Sequence, residues 1–362
     1  MELIPAQYYE DIYLIIILLL SSISFFKYGV MVGNGYRRYD KSQSALGWLI
    51  CLFMILFIGT RPISDVFADM PQYYGIYKNW SEQYEFIYDT DNIIYTNLMF
   101  FLASIRFEPI LFYILIAAIY FGCMWLACSR LFPRDKVAAY IVCLAAFSTF
   151  SYGTNGIKAG SAAAVFMLAL SYRDNLKVFI PLVIASFGFH HAMQLPIAAF
   201  VCTLFYRKPK YFLYFWVLCL FLAIAHVTYF QFLFAGMTDE QGAGYLQSHD
   251  NIGGKGGLRI DFIIYSAMPV LMSWYSTRKM QIKSLFYDTL TCIYLFTNGI
   301  WLLCMYANFT NRIAYLSWSI YPIVLIYPIL NEQWQGNRYK FFAKVAWAHL
   351  TFTLFMNFVY YA

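Results

Sequence analysis

The sequence predicts an all-α polytopic membrane protein, with about twelve transmembrane helices (11–14) in a single integral membrane domain over residues 1–362. Three observations predict it. Apolar residues make up 61% of the chain and charged residues only 12%, whereas soluble domains carry about 25% charged residues. Apolar runs of membrane-crossing character recur along the whole chain. Lysine and arginine collect in alternate connections between those runs. The composition excludes an ordinary soluble enzyme and a disordered chain. The net charge of +6 forms no basic patch, so no nucleic-acid partner is expected.

A crossing needs about 20 apolar residues, because about 30 Å of hydrocarbon is traversed at about 1.5 Å per residue. Such runs lie near 12–32, 44–60, 109–130, 137–152, 156–172, 177–189, 191–206, 211–230, 260–276, 285–307, 311–331 and 341–360. The first follows Glu2, Glu10 and Asp11 rather than a basic segment, so it is expected to be a span and not a cleavable signal. Arg37, Arg38 and Lys41 separate it from the second. The stretch 92–106 is apolar but short, and is expected to be a partial or re-entrant helix within an outer loop over 61–108. Arg130, Arg134 and Lys136 part the third run from the fourth, and Arg173 and Lys177 the fifth from the sixth. Arg207, Lys208 and Lys210 follow the seventh, Arg278, Lys279 and Lys283 the ninth, and Arg338, Lys340 and Lys344 the eleventh. With Lys27 these hold 18 of the 25 basic residues, beside only five acidic ones (Asp40, Asp135, Asp174, Asp288 and Glu332). Basic loops stay cytoplasmic, so both termini are expected to face outward.

The eight cysteines, Cys51, Cys123, Cys128, Cys143, Cys202, Cys219, Cys292 and Cys304, fall in or beside spans without metal-ligand spacing, and are expected to be buried free thiols. A second outer loop, 231–259, holds Gly236, Gly242, Gly244 and the run Gly253-Gly-Lys-Gly-Gly257. It lacks the phosphate-loop pattern and reads as a flexible loop or a lid. Asn79-Trp-Ser81 and Asn308-Phe-Thr310 match the glycosylation pattern, as chance allows.

Seven basic residues break the inward rule: Arg61, Lys78, Arg106, Lys158, Lys255, Arg259 and Arg312. A cation in hydrocarbon costs about 2.5–3.5 kcal/mol on insertion scales. Those at span ends therefore snorkel, pair with Asp65, Asp69 or Asp261, or face a polar cavity. His190 and His191 adjoin where one span ends and the next begins. On a helix their side chains would diverge by about 100°, one packing and one facing the cavity. A zinc pair would sit four residues apart, so no metal is expected. His226, His249 and His349 show no partners in the sequence. Asp69, Tyr73 and Tyr77 recur at four-residue spacing on one helical face. That face is either an interfacial aromatic belt or a carboxylate and phenols offered to a sugar.

Four segments together resemble the EpsG family of Wzy-like polysaccharide polymerases. They are Arg61…Asp69-x-x-x-Tyr73, Asn155-Gly-Ile-Lys-Ala-Gly160, Phe189-His-His-Ala-Met193 and Asn311-Arg-Ile-Ala-Tyr315. Their order and the hydropathy between them cover nearly the whole chain. One departure is Lys158, where the family typically carries arginine; lysine keeps the charge but not the bidentate fork. The resemblance implies a fold like the polytopic membrane glycosyltransferase (GT-C) class, in a bacterial inner membrane, with the active site facing the periplasm or cell exterior. It implies polymerisation of undecaprenyl-pyrophosphate-linked repeat units into O-antigen, capsule or exopolysaccharide, with no cofactor and no metal. A chain-length regulator protein is admitted as a further partner.

In that setting Arg61, Lys158 and Arg312 are expected to bind pyrophosphate, where charge builds as the lipid leaves. His191, His190 or Asp69 would orient the attacking hydroxyl or accept its proton. His191 is preferred, because His-Ala matches the family's histidine followed by a small residue. Tyr73, Tyr315, Asp65 and Arg259 are expected to contact sugars. An O-antigen ligase and a lipid-linked sugar flippase remain alternatives. A ligase would be expected to carry a larger outer domain, and a flippase to place polar residues near the membrane middle.

Overall fold

The computed structural model describes residues 4–31, 42–80, 85–88, 90–234 and 257–360. Among the described residues every regular element is a helix. Every predicted run is occupied by one. In the first half these are Tyr9–Phe26 (α1), Ser42–Gly59 (α2), Met70–Asn79 (α3), Ile93–Ser104 (α4), Pro109–Leu131 (α5), Lys136–Leu144 (α6), Thr149–Thr154 (α7), Ile157–Ser171 (α8) and Leu176–Phe189 (α9). The second half contributes Gln194–Phe205 (α10), Pro209–Ile224 (α11), Phe230–Phe234 (α12), Ile260–Arg278 (α13), Leu285–Leu303 (α14), Thr310–Trp318 (α15), Tyr321–Asn331 (α16) and Arg338–Phe355 (α17).

Among the described residues four stretches are long and apolar enough to cross a membrane: Ala6–Gly29, Pro109–Leu131, Thr310–Asn331 and Arg338–Tyr360. Several of the other predicted spans are shorter because the helices break. Run 137–152 divides into α6 and α7, and the Thr149 hydroxyl donates to the Cys143 carbonyl across the break, 2.7 Å. Short hydroxyl side chains compete in this way with the helical ladder. Runs 177–189 and 191–206 do not merge, because a continuous helix would drive the Pro196 ring into the carbonyl four residues earlier. Within the membrane-length stretch Thr310–Asn331, Pro322 acts likewise on the Trp318 carbonyl, and α15 gives way to α16 there. Arg37, Arg38, Asp40, Lys41, Ser81, Asp89, Asp239, Glu240, His249 and Asp250 lie outside the described residues. So do Gly236, Gly242, Gly244, Gly253, Gly254, Lys255 and Gly256.

The chain divides into two compact units, Met1–His190 with Tyr339–Ala362, and His191–Arg338. In the first, α5 packs between α2 and α8, and α8 packs on α9. Helix α8 is rich in small residues, and every residue from 160 to 171 is buried. Small residues let helix backbones approach closely, which is how helices associate where lipid is as apolar as leucine. In the same unit the Tyr28 hydroxyl donates to an Asp135 carboxylate oxygen, 2.6 Å, and the Lys136 ammonium to the Ser44 hydroxyl, 2.6 Å.

In the second unit α14 is central, packed against α10, α11, α15 and α16. Asn298 on α14 is fully buried. Its carbonyl oxygen accepts from the Trp216 indole, 2.7 Å, and its amide donates to the Ser266 and Ser317 hydroxyls, 3.0 Å each. The Trp318 indole also donates to Ser266, 2.8 Å. One side chain thereby ties four helices together. Interhelical hydrogen bonds in membranes average about 0.6 kcal/mol each. Asn298→Leu keeps the bulk and removes three bonds. We expect it to lower stability by about 1–3 kcal/mol, seen as a lower melting temperature of the detergent-purified protein.

Candidate functional site

Arg61 emerges two residues after α2 and is only 1% exposed. Its Nη1 donates to the Ile58 carbonyl and its Nη2 to the Thr154 carbonyl, both at 2.8 Å. These carbonyls close α2 and α7. Terminal carbonyls have no partner within their helix, and the helix dipole favours a cation there. The faces of Phe67 and Tyr113 flank the guanidinium, each centroid 5.4 Å away. Among the described residues no carboxylate pairs with it, and its Nε–H has no hydrogen-bond partner. Burial pulls its pKa down to about 10 while nearby phenols support the charged form, so the charge persists at neutral pH.

The Thr154 end of α7 leads directly into Asn155-Gly-Ile-Lys158. The Asn155 and Gly156 amides both donate to the Ser151 carbonyl, at 2.8 and 3.0 Å, closing α7. Helix α8 then opens at Ile157 with Lys158 in its first turn. Gly160 permits this tight corner, since a Cβ there would lie 2.5 Å from the Tyr152 carbonyl oxygen. The half-buried Lys158 places its Nζ 5.8 Å from the centre of the Tyr73 ring.

Tyr73 belongs to α3 and meets Tyr95 of α4 edge to face, 5.8 Å between centroids. Tyr95 is 1% exposed and also packs on Phe112, 5.8 Å away. Among the described residues its hydroxyl has no hydrogen-bond partner. Burial raises its pKa well above the usual phenol range; Tyr73, Tyr113 and Asp69 raise it further and Arg61 opposes them. Arg61, Asp69, Tyr73, Tyr95, Tyr113 and Lys158 thus form one electrostatically connected cluster within the first unit.

Four residues predicted from sequence, Arg61, Asp69, Tyr73 and Lys158, come together here. Asp69 is half-buried immediately before α3, whereas Asp65 is exposed on the preceding turn. The predicted face carrying Tyr73 and Tyr77 does turn inward. Tyr77 is engaged elsewhere, its hydroxyl donating to the Phe107 carbonyl at 2.7 Å. Tyr95 was not anticipated: a tyrosine in a short apolar helix reads as belt or core, and only the three-dimensional surroundings reveal an unpaired hydroxyl.

The histidine pair departs from expectation. Helix α9 ends at Phe189, His190 is extended (φ −153°, ψ 120°), and His191 starts a short 3-10 turn. The two residues do not share a helix, so the 100° divergence does not describe them. Both are half-buried, and the boundary between the units falls between them.

In the second unit Arg312 is exposed, with its guanidinium 5.3 Å from the Phe309 ring centre. Tyr315 is buried against Trp318 at 5.5 Å, and its hydroxyl accepts from the Asn311 amide, 3.4 Å. Arg259 grips Asp261 bidentately at 3.0 and 2.6 Å over the Phe262 ring, which balances its charge locally. Two histidines read as partnerless have neighbours: His226 stacks on Tyr306 at 4.1 Å, and the His349 ring lies 3.2 Å from the Val142 carbonyl. All eight cysteines are free; six are buried as expected, Cys123 is half-buried and Cys202 is exposed.

This architecture, all-helical with four membrane-length apolar stretches, defines an integral membrane protein of the polytopic helical class. The chain belongs to the EpsG family, whose model matches residues 44–362. Membership is consistent with a polymerase of polysaccharide biosynthesis. No curated protein and no solved structure matches the chain.

Arg61→Lys retains the charge but loses the planar fork whose two nitrogens reach the two carbonyls separately. We expect a loss of about 1.5–3 kcal/mol, as for a hydrogen bond to a charged group, and a lower melting temperature with protein still present in the membrane.

Proposed function

We propose that the protein polymerises undecaprenyl-pyrophosphate-linked oligosaccharide repeat units on the outer face of the bacterial inner membrane. The reaction breaks the bond from the donor sugar's anomeric carbon to the pyrophosphate oxygen. It forms a bond from that carbon to a hydroxyl of the acceptor sugar. The hydroxyl proton passes to a protein base and the lipid pyrophosphate leaves with the electron pair. The observation that carries this reading is the first-unit cluster: a buried guanidinium without a carboxylate and a lysine in the first turn of α8, beside Asp69 and three tyrosines. Negative charge developing on phosphate oxygens is stabilised by fixed cations in surroundings of low dielectric.

Within the cluster Lys158 and Arg61 are assigned to the pyrophosphate, Arg61 also holding that corner in place, Asp69 to the acceptor hydroxyl and Tyr73 to a sugar face. For the second unit the proposed roles are pyrophosphate binding for Arg312, proton acceptance for His191, and sugar contacts for Tyr315 and Arg259. His190 and Asp65 take supporting places at the acceptor. General-base assistance is worth about 10²–10⁴-fold, so loss of the base leaves more activity than loss of all cationic contacts.

Lys158→Ala and Arg312→Ala should each abolish the polysaccharide ladder on gels while the protein stays in the membrane. Lys158→Arg should retain it. A normal ladder in both alanine variants refutes the reading. His191→Ala should lose polymerisation and His190→Ala should keep much of it, scored on the same gels.

The proposal carries the twelve-span topology with both termini outside. In a cysteine-free background, a single cysteine at Ser151 should react with an impermeant thiol reagent in spheroplasts. Cysteines at Arg134 and Lys208 should not. Labelling at Arg134 would show that 92–106 crosses the membrane.

A further inference from the structure

We propose that the Tyr95 hydroxyl is a ligand-binding group, engaging an acceptor oxygen of the lipid-linked glycan together with the Nε–H of Arg61. The inference rests on the polymerase reading and adds a residue to it. Tyr95 is 1% exposed and its hydroxyl has no hydrogen-bond partner among the described residues. Tyr152, at the corner that opens α8, shares this state, whereas several other buried phenols of the same unit are satisfied. Tyr13 donates to the Leu144 carbonyl at 2.6 Å, Tyr113 to the Met70 carbonyl at 3.2 Å, and Tyr120 to the Thr149 carbonyl at 3.3 Å. Phenylalanine would reproduce the ring contacts of Tyr95 with Tyr73 and Phe112 without burying an unsatisfied group. A hydroxyl kept at such a position opposes stability, and such oppositions gather at functional sites.

The second unsatisfied atom of the cluster sets the chemistry of the ligand. The Arg61 Nε–H is a donor and cannot accept. A metal ion or a bare donor cannot satisfy it; an oxygen with free lone pairs can. The phenol can donate to the same class of atom. With Arg61 unpaired to any carboxylate and Lys158 in the cluster, that oxygen is electron-rich: a phosphate oxygen or a sugar hydroxyl.

The test is Tyr95→Phe, with the full-length protein assayed in cells and after purification in detergent. We expect a melting temperature equal to or above the parent's, together with at least a tenfold fall in polymer. Undecaprenyl pyrophosphate should raise the parent's melting temperature. If Tyr95→Phe loses that rise, the contact is to phosphate. If the rise persists while polymer falls, the contact is to a sugar hydroxyl. A normal polymer yield from Tyr95→Phe beside an active parent overturns the proposal. A variant that melts below the parent overturns it too, because the hydroxyl is then structural. A parent that supports no polymerisation refutes the polymerase reading instead. In that event, a rise present in the parent and absent in the variant still supports the Tyr95 contact, and equal rises overturn it.

Discussion

Two helix ends meet at one guanidinium, and the architecture of the first unit around Lys158 depends on that meeting. Arg61 gives one donor to the carboxyl end of α2 and another to that of α7. Neither helix could finish in apolar surroundings with bare carbonyls, since a buried unpaired acceptor costs about 1–3 kcal/mol. The guanidinium in turn could not be buried without those carbonyls and the two aromatic faces beside it. Each solves the other's problem, and the turn carrying Asn155 and Gly156 is held as a result. Lys158 inherits its position from that turn.

The same arrangement has an electrostatic outcome. A buried cation paired to a carboxylate would be nearly invisible to a ligand. Among the described residues Arg61 is balanced by carbonyl dipoles and ring faces rather than by a carboxylate, so it keeps a net charge. Arg259 shows the contrast in the second unit, where the bidentate contact with Asp261 cancels the charge at its source. Position in the chain does not separate the two arginines; the atoms opposite them do.

Much of the fold was legible in the sequence, because hydropathy and helix formation answer to the same apolar runs. What was not legible were the interruptions. The break between α6 and α7 has no proline or glycine to announce it and depends on the Thr149 hydroxyl reaching a carbonyl across it. Between His190 and His191 the backbone leaves helical geometry, and an argument from helical spacing fails there. In the site, Arg61 and Lys158 stood out as cations on the wrong side of a membrane rule. Tyr73 stood out through its spacing from Asp69. Tyr95 carried no such signal, since in a protein with 33 tyrosines one more in an apolar helix is ordinary. The task performed by Arg61 was likewise hidden, because a carbonyl partner leaves no trace in side-chain identity.

Helix α8 is enclosed by protein along the whole of 160–171, with no flank left for lipid. Helices on the rim of a bundle tilt or slide when bilayer thickness changes, at fractions of a kcal/mol per Å. An enclosed helix can follow only if its neighbours move with it. Lys158 therefore rides on an axle rather than on the hull. Its depth answers to the packing of α5 and α9, and the lipid composition of the surrounding membrane acts on it only through them.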